Sequence, residues 1–243
     1  MKRATLLTVA VGMLIFASSS FGQVPLTFTG WDGSSWNGGG TGFYYGSVNG
    51  TPVGPGDTSP GYFCDDFSHE IQQPESWNAN AFQVSNLLTN WSTLGSQTVF
   101  GTALGANGFT DYLEMAILVK AAFGGTLGSL GGIGATVDDL SEVLWCITGG
   151  LGNCTSSGTN AMSANAYSLL QWIQANHSGM SLSQFANLFL YVPIPGSQTG
   201  SLGTPQEMWG NVPEGGAALL YLLLAGASCF GAMFFRSRDQ IGV

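Results

Sequence analysis

The sequence predicts an α+β protein with a β-rich N-terminal part, several short helices and, in the precursor, a single C-terminal transmembrane helix. Three observations lead to this prediction. The first third of the chain is rich in Gly, Thr and aromatic residues, and the middle carries apolar residues at helical spacing. Near the C-terminus, residues 217–235 form an uncharged apolar run, long enough to span a bilayer as a helix.

Short extended segments are predicted in the first third of the chain, at residues 26–29, 42–48 and 61–67. The pair Asn49-Gly50 directly follows the second of them. An Asn-Gly pair between two extended segments is a strong hairpin signal, because both residues tolerate a positive φ. This region is therefore predicted to be β.

Helices are predicted in the rest of the body. Tyr112, Met115, Ala116, Val119 and Phe123 recur at spacings of three and four, which places them on one stripe of a helix. A Gly-rich segment follows, and because it has few side chains to pack, it is predicted to be a mobile loop. The predicted helices cover residues 111–123, 137–148, 165–177 and 182–190, the loop covers 124–134, and an extended segment follows at 191–194.

Polar residues at two helix ends have simple structural interpretations. Asp138, Asp139 and Glu142 form a charged first turn, where carboxylates suit the positive end of the helix dipole. His177 stands at the end of its predicted helix and suits a C-terminal polar cap. These residues are therefore not predicted to be catalytic.

The body of the chain carries a strong negative charge. Residues 23–212 hold 12 Asp and Glu residues against the single Lys120, a formal charge of −11. Such a body has no basic groove that could release counterions from a phosphate backbone, so nucleic acid is excluded as a partner. Anionic lipid headgroups are excluded for the same reason.

The first 22 residues have the layout of a secretory signal peptide. Lys2 and Arg3 precede the apolar run 4–17, and small residues lead to a cleavage site after Gly22. The alternative is a first core helix. The C-terminal run is followed by two arginines, and the positive-inside rule then leaves the body outside the cytoplasmic membrane.

The C-terminal region resembles a known sorting signal. Val212, Pro213 and Glu214, then the apolar run, then a tail with Arg236 and Arg238, resemble the PEP-CTERM signal of bacteria that secrete exopolysaccharide, although Gly215 replaces the usual second Pro. The resemblance implies recognition and removal by the membrane enzyme exosortase; the alternative is a permanent single-span anchor. The predicted organisation is a signal peptide at 1–22, an exported α+β domain with Gly-rich loops at 23–211, a sorting signal at 212–238 (motif 212–216, transmembrane helix 217–235, Arg-containing tail 236–238) and a cytoplasmic end at 239–243.

Several short segments of the body also resemble the exported part of PEP-CTERM proteins. They are rich in aromatic and acidic residues and are spaced along the whole body. The resemblance implies no enzyme class and no cofactor. The segments lie at residues 62–67, 76–79, 112–116, 143–145 and 205–207.

The densest group of reactive side chains is Cys64, Asp65, Asp66, His69 and Glu70. Cys64 as a nucleophile needs a base, and a spacing of five residues does not place His69 against the sulfur. Asp65, Asp66 and Glu70 offer oxygen ligands for calcium, but the pattern of a calcium-binding loop is absent. The favoured interpretation is a strand with solvated carboxylates, or carboxylates that bond turn amides.

The position of Cys64 also resembles that of the cysteine in the thioester domains of Gram-positive surface adhesins. In those domains a later Gln, two residues before an Ala-Ile-Trp-like triplet, is implied to bond the cysteine. Here Val143-Leu144-Trp145 stands in the place of the triplet and Ser141 in the place of the Gln. The amide carbonyl that a thioester needs is therefore missing.

Three cysteines lie in the predicted exported body. Cys146 and Cys154 are separated by a short Gly-rich loop that lets the chain fold back, so they are the natural disulfide pair in an oxidising compartment. Cys64 is then either a buried thiol or the true partner of one of the others. The sequence leaves this choice open.

The first functional hypothesis is a non-enzymatic cell-surface or matrix protein associated with exopolysaccharide or biofilm. Its expected partners are signal peptidase and exosortase during processing, the membrane through the C-terminal helix before processing, and extracellular polysaccharide. Trp31, Trp36, Tyr44 and Tyr45 are aromatic residues that could stack on sugars, although such residues belong more often to a core.

The alternative hypothesis is a secreted hydrolase or metal-dependent enzyme centred on Asp65, Asp66 and His69. A concave pocket that joins these residues to Glu142 or Glu114 would favour it. The body has one Lys, no Arg and two His residues, so side-chain cations that could stabilise developing charge are scarce. The sequence therefore favours a protein that is not an enzyme.

Overall fold

The computed structural model of this chain describes residues 22–33, 35–36, 39–54, 61–66, 69, 71, 73–149, 154–158, 161–200 and 205–211. Within them the protein has a mixed α+β fold with a β-barrel and several helices, which confirms the predicted class. The strands are β1 Gln23–Trp31, β2 Ser35–Trp36, β3 Gly39–Gly40, β4 Tyr44–Val48, β5 Thr51–Val53, β6 Tyr62–Cys64, β7 Glu75–Gln83, β8 Leu188–Pro193 and β9 Met208–Asn211. The α-helices are α1 Val84–Thr89, α2 Trp91–Leu94, α3 Gly108–Phe123, α4 Val137–Ile147 and α5 Ala164–Asn176, and 3-10 helices lie at Gly95–Gln97, Gly105–Asn107, Leu127–Gly132 and Leu182–Phe185.

The predicted signal peptide and the predicted transmembrane helix fall almost entirely outside the described residues. Of the helices that the structure describes, none has the length and apolarity needed to cross a membrane.

The main sheet closes on itself because β1 pairs along both of its edges. The strand order is β1-β7-β8-β9-β6-β4-β5, and β1 also pairs with β4. All of these pairings are antiparallel, and Leu26 of β1 lies opposite Val48 on one side and Trp77 on the other. Closure of a sheet satisfies the backbone groups that an edge strand would expose.

The inside of the barrel is filled by alternate residues of its strands. In β7 the buried positions are Glu75, Trp77, Ala79 and Ala81, and the residues between them are more exposed. This alternation follows from the period of two in a strand, which sends successive side chains to opposite faces. The barrel therefore has an interior separate from the layer of helices outside it.

The helices pack on the outer face of β6, β8 and β9 and form the main hydrophobic core with it. Leu188, Leu190 and Val192 of β8 belong to this core. Every residue of β8 is buried, because one face meets the barrel interior and the other meets the helices. Helix α3 is buried without a break from Tyr112 to Val119, as expected for a helix inside a core.

The local predictions are confirmed in most places. The three strand segments correspond to β1, β4 and β6, and three of the four helices correspond to α3, α4 and α5. Asn49 and Gly50 form a two-residue turn with φ of 50° and 77°, and Val48 pairs with Thr51 across it. Helix α4 begins with a capping box. The Thr136 hydroxyl accepts from the Asp139 backbone N–H, and the Asp139 carboxylate accepts from the Thr136 backbone N–H.

Two predictions are wrong. Residues 182–190 do not form one helix, since a 3-10 helix covers Leu182–Phe185 and β8 begins at Leu188. A strand that is buried on both faces shows no alternation, so its apolar run has no period that separates it from a helix. Residues 124–134 include the 3-10 helix Leu127–Gly132, and Leu127 is buried in the core rather than part of an unpacked loop.

Candidate functional site

The predicted reactive group lies at the end of β6 and is buried. Cys64, Asp65 and Asp66 each have a relative exposure of 0%. The chain leaves the barrel here beneath the end of α4, where the Thr148 hydroxyl donates to the carbonyl oxygen of Asp65 at 2.6 Å. The expectation of solvated carboxylates is therefore wrong, because helices of the outer layer cover the end of this strand.

Asp65 forms a buried carboxyl pair with Glu207, a residue just before β9. The indole Nε1 of Trp209 donates to Asp65 Oδ2 at 2.7 Å. The Tyr112 hydroxyl donates to Glu207 Oε1 at 2.6 Å, and the Val99 backbone N–H donates to Glu207 Oε2 at 2.9 Å. The two carboxyl groups are close enough for each to shift the pKa of the other. The pair thus ties β6 and β9 to α3 and to the segment before it.

Two carboxyl groups can share a hydrogen bond only if one of them holds a proton. Burial raises the pKa of Asp65 well above its ordinary value, and the neighbouring charge of Glu207 raises it further. Burial raises the pKa of Glu207 to about 7, although the bonds from Tyr112 and Val99 oppose this. Asp65 Oδ1 is buried and has no hydrogen-bond partner among the described residues, so we place the proton of the pair on Asp65.

Asp66 bonds to a different set of residues. Its Oδ1 accepts from the His69 backbone N–H at 3.1 Å, and its Oδ2 lies 2.6 Å from His69 Nδ1. The Gln206 side-chain amide donates to the carbonyl oxygens of both Asp66 and His69. Asp66 therefore stabilises the turn after β6. It bonds a turn amide, which was one of the two roles expected for these carboxylates from the sequence.

The Cys64 thiol is enclosed by the same layer. Its sulfur lies 3.2 Å from both the backbone N and the backbone O of Asp66, and the Trp145 side chain lies close enough to influence the pKa of the thiol. Burial raises the pKa of the thiol well above its ordinary value, and the charges of Asp66 and Asp65 raise it further. These surroundings disfavour the thiolate that a nucleophile requires. Ser141, which stands in the place of the Gln of thioester domains, has other partners: its hydroxyl accepts from the Gly42 backbone N–H and donates to the Val137 carbonyl oxygen.

The calcium candidates are not brought together in the described residues. Asp65 and Asp66 are engaged as above, and Glu70 lies outside the described residues. No group of three or more His, Cys, Asp or Glu side chains is arranged to hold a metal ion in the part of the chain that the structure describes.

Glu114 and Glu142 each bond to a residue outside the cluster of Asp65 and Asp66. Glu114 Oε1 lies 2.8 Å from Nδ1 of His177, which directly follows α5. Glu142 Oε2 accepts from the Ser163 backbone N–H at 2.7 Å, at the start of α5. His177 is thus at a helix end, as predicted, but its ring pairs with a carboxyl group of α3.

The disulfide prediction is confirmed. Cys146, in the last turn of α4, is bonded to Cys154, and Cys64 is a free buried thiol. The bond joins the end of α4 to the chain that leads towards α5.

The aromatic residues proposed for sugar stacking have different environments. Trp31 is 41% exposed, and its ring is parallel to that of Phe28. Tyr44 is buried at 4% exposure, so it cannot offer a ring face to a ligand. Tyr45 is half-buried, and the Trp36 side chain lies outside the described residues.

Two surface cavities among the described residues are not lined by the acidic side chains of the carboxyl cluster. One, of about 290 Å³, is lined in part by Thr98, Val99 and Ile194. The other, of about 210 Å³, has Lys120 and Gln184 in its wall. Neither is lined by Asp65, Asp66 or His69. The residues of the predicted sorting motif, Val212 to Glu214 with Arg236 and Arg238, lie outside the described residues.

Sequence reasoning identified Asp65 and Asp66 but missed their partners. Glu207 and Tyr112 lie in segments singled out for their resemblance to PEP-CTERM proteins, yet nothing in the sequence assigned them a role. The structure brings four of those five segments together, at Cys64 to Asp66, Tyr112, Trp145 and Gln206-Glu207.

Comparison with known proteins gives little further information. No protein-family model and no curated protein matches the chain. One solved structure, the N-terminal thioester domain of a protein F2 like fibronectin-binding protein from Streptococcus pneumoniae, aligns with a TM-score of 0.40 and 12% identity. The alignment covers 76% of this chain and 91% of that chain. Similarity at this level does not establish a common fold.

Proposed function

We propose that this chain is a non-enzymatic exported protein of the cell surface or extracellular matrix, processed by an exosortase and associated with exopolysaccharide. The observation that carries the proposal is the order of segments in the sequence. A signal-peptide layout at 1–22 and a Val-Pro-Glu motif at 212–214 flank the body, and an apolar run and an Arg-containing tail follow.

The disulfide supports the export step. Disulfides form and persist in oxidising compartments and are rare in the reducing cytosol. The bond between Cys146 and Cys154 is therefore consistent with a body that folds outside the cytoplasm.

The burial of the reactive cluster supports a non-enzymatic role. A general base or nucleophile has to reach its substrate within hydrogen-bond distance. Asp65, Asp66 and Cys64 are enclosed, and each is already bonded within the protein. Their arrangement stabilises the contact between barrel and helices and leaves none of these three side chains exposed in the part of the chain that the structure describes.

The processing step is tested by intact-mass analysis of the protein recovered from its host. We expect a species that starts near Gln23 and lacks residues 217–243. Replacement of Pro213 and Glu214 by Ala should block processing but leave export intact. A full-length membrane species from a host with active exosortase would contradict the sorting proposal.

The non-enzymatic role is tested separately. We expect the purified chain to show no hydrolysis of polysaccharide, peptide or ester substrates above the uncatalysed background. Turnover that disappears in the Asp66→Ala or His69→Ala variant would support the enzyme hypothesis instead.

The association with polysaccharide is tested by sedimentation of the protein with exopolysaccharide from its host. We expect the chain to sediment with the polysaccharide and to stay in solution without it. A chain that remains soluble in both cases would contradict this part of the proposal.

A further inference from the structure

The cavity of about 210 Å³ beside the end of α3, called here the Lys120 pocket, has an unusual lining for this protein. It lies between the last turn of α3, the segment after the 3-10 helix Leu182–Phe185, and the adjoining ends of β8 and β9. Its polar lining includes Lys120, Gln184 and Asn187, and its apolar lining includes Phe123 and Leu188. Within the described part of the chain no acidic residue lines it, although the body carries a formal charge of −11.

Lys120 is the single cation in the sequence between Arg3 and Arg236. Its ammonium group donates to the backbone carbonyl of Gln184 at 2.6 Å. The group also lies 5.9 Å from the centre of the Phe185 ring. An ammonium group has three N–H donors, so two remain beyond the bond to Gln184. Charges farther away than about 8 Å are largely screened at physiological ionic strength, and Lys120 is the charged residue among those that line the pocket.

Gln184 supplies a second donor whose partner is missing in the described residues. Its Nε2 is shielded from solvent and has no hydrogen-bond acceptor among those residues. A shielded donor without an acceptor raises the free energy of the folded state. A rotation of the side chain that turns this amide into the cavity and onto a ligand acceptor would remove that cost. Asn187 adds a further side-chain amide to the same wall.

A purely structural role explains only part of this arrangement. Lys120 lies in the last turn of α3, where a cation interacts favourably with the helix dipole, and it ties α3 to Gln184. That role accounts for one of the lysine donors. It does not account for the unpartnered Gln184 amide or for a wall in which donors and apolar groups occur without a carboxylate.

We propose that the Lys120 pocket binds the carboxylate of an acidic sugar, with Lys120 and Gln184 donating to its oxygens and Phe123 and Leu188 contacting its apolar carbons. The volume is below the roughly 300–1,000 Å³ of pockets that enclose drug-sized ligands, so one sugar unit is the expected occupant. The choice of a sugar as the carrier of the carboxylate rests on the proposed function. The carboxylate specificity rests on the lining alone.

The test is a titration of the ¹⁵N-labelled full chain, held in a non-ionic polyoxyethylene detergent, with glucuronate, glucose and acetate in parallel. We expect glucuronate to shift the Gln184 side-chain amide signal with half-saturation on the order of 1 mM. Acetate should bind at least about tenfold more weakly because it lacks the sugar ring. Glucose should not saturate the site.

Variants separate the role of charge from that of fold. Lys120→Met keeps the aliphatic stem but removes the ammonium group, and it should weaken glucuronate binding at least about tenfold. Gln184→Leu should also weaken it, and Lys120→Arg should retain binding within about threefold. The thermal midpoint of each variant, measured alongside, confirms that the pocket is still folded.

Each result decides the proposal. Glucose binding as strong as glucuronate binding, or unchanged binding in a folded Lys120→Met variant, would overturn the carboxylate site. Acetate binding as strong as glucuronate binding would overturn the assignment to an acidic sugar, and so would the absence of saturable glucuronate binding. Sedimentation with host polysaccharide tests the proposed function independently, so the two failures are distinguishable.

Discussion

At the scale of single residues, the carboxyl pair of Asp65 and Glu207 shows how a buried charge is handled without any nearby cation. Hydrogen-bond donors from Trp209, Tyr112 and Val99 surround the pair, and one proton held by the pair reduces its charge. Two ionised carboxylates in this place would be costly, because burial and mutual repulsion both disfavour them. The stability of the protein should therefore depend on pH.

The free energy of unfolding should fall as pH rises from 5 to 8. The pKa of Glu207 rises from 4.5 to about 7 on folding, so the native state binds its proton more tightly than the unfolded chain does. The resulting stabilisation is complete below about pH 4.5 and is lost as pH rises through 7. For Glu207 the loss is about 3 kcal/mol, and the raised pKa of Asp65 acts in the same direction.

Urea unfolding at a series of pH values between 5 and 8 measures this loss. The Asp65→Asn variant provides the matched control, because its amide can accept from Trp209 and donate to Glu207 as the protonated acid does. We expect its stability to change less with pH than that of the parent chain. Stability that rises between pH 5 and 8 in the parent chain would contradict the raised pKa values of Glu207 and Asp65.

The Cys64 thiol should be unreactive in the folded protein. Its relative exposure is 0%, and burial raises the pKa of the thiol. Native protein treated with iodoacetamide at pH 8 should therefore gain no carbamidomethyl group at Cys64, whereas protein unfolded in guanidinium should gain one. Peptide mapping by mass measures both, and rapid labelling of the native protein would show that Cys64 is accessible.

The candidate site could be predicted from the sequence only where its residues are close in the chain. Asp65, Asp66 and His69 stood out because reactive types cluster there. Glu207 lies 95 residues from Tyr112, and Trp209 lies 144 residues from Asp65, so no local spacing encodes these bonds. They depend on the strand order, which the sequence pattern did not reveal.

At the scale of elements, local signals determined which predictions succeeded. The Asn49-Gly50 turn and the Thr136 capping box depend on neighbours in the chain, and both ends of α4 lie within one residue of the prediction. β7 alternates between buried and exposed positions, yet its mixture of Asn, Ser and Ala residues gave no strong apolar signal. β8 gave an apolar signal but no period, because both of its faces are covered.

The disulfide after α4 should stabilise the protein measurably. Closing the short loop between Cys146 and Cys154 restricts the unfolded chain and contributes about 2–3 kcal/mol in the chain-entropy model. A double replacement by Ser should therefore lower the thermal midpoint by about 5–10 °C. Scanning calorimetry measures the shift.

Reductant provides the control for this experiment. It should lower the midpoint of the parent chain by a similar amount and leave that of the double variant unchanged. If reductant lowered both midpoints equally, a disulfide other than Cys146–Cys154 would have to be responsible.

At the scale of the whole molecule, charge determines which surfaces the protein avoids. A formal charge of −11 over residues 23–212 repels polyanions, and the isolated Lys120 makes only a local exception. The chain should therefore pass through a column of immobilised duplex DNA at about 0.05 M salt without delay. Retention that decreases with added salt would reveal a basic surface that the composition does not predict.

The position of β9 in the barrel has a consequence for the order in which the chain folds. β9 lies between β6 and β8, and Trp209 pairs with Phe63 on one side and Leu190 on the other. A ribosome or a translocation channel that delivers the chain from its N-terminus releases this strand after all the other barrel strands. Until then β6 and β8 present open edges that can recruit strands from other copies. A chain cut before Met208 should therefore aggregate, and correct folding should favour chains that are delivered without a pause near their C-terminal end.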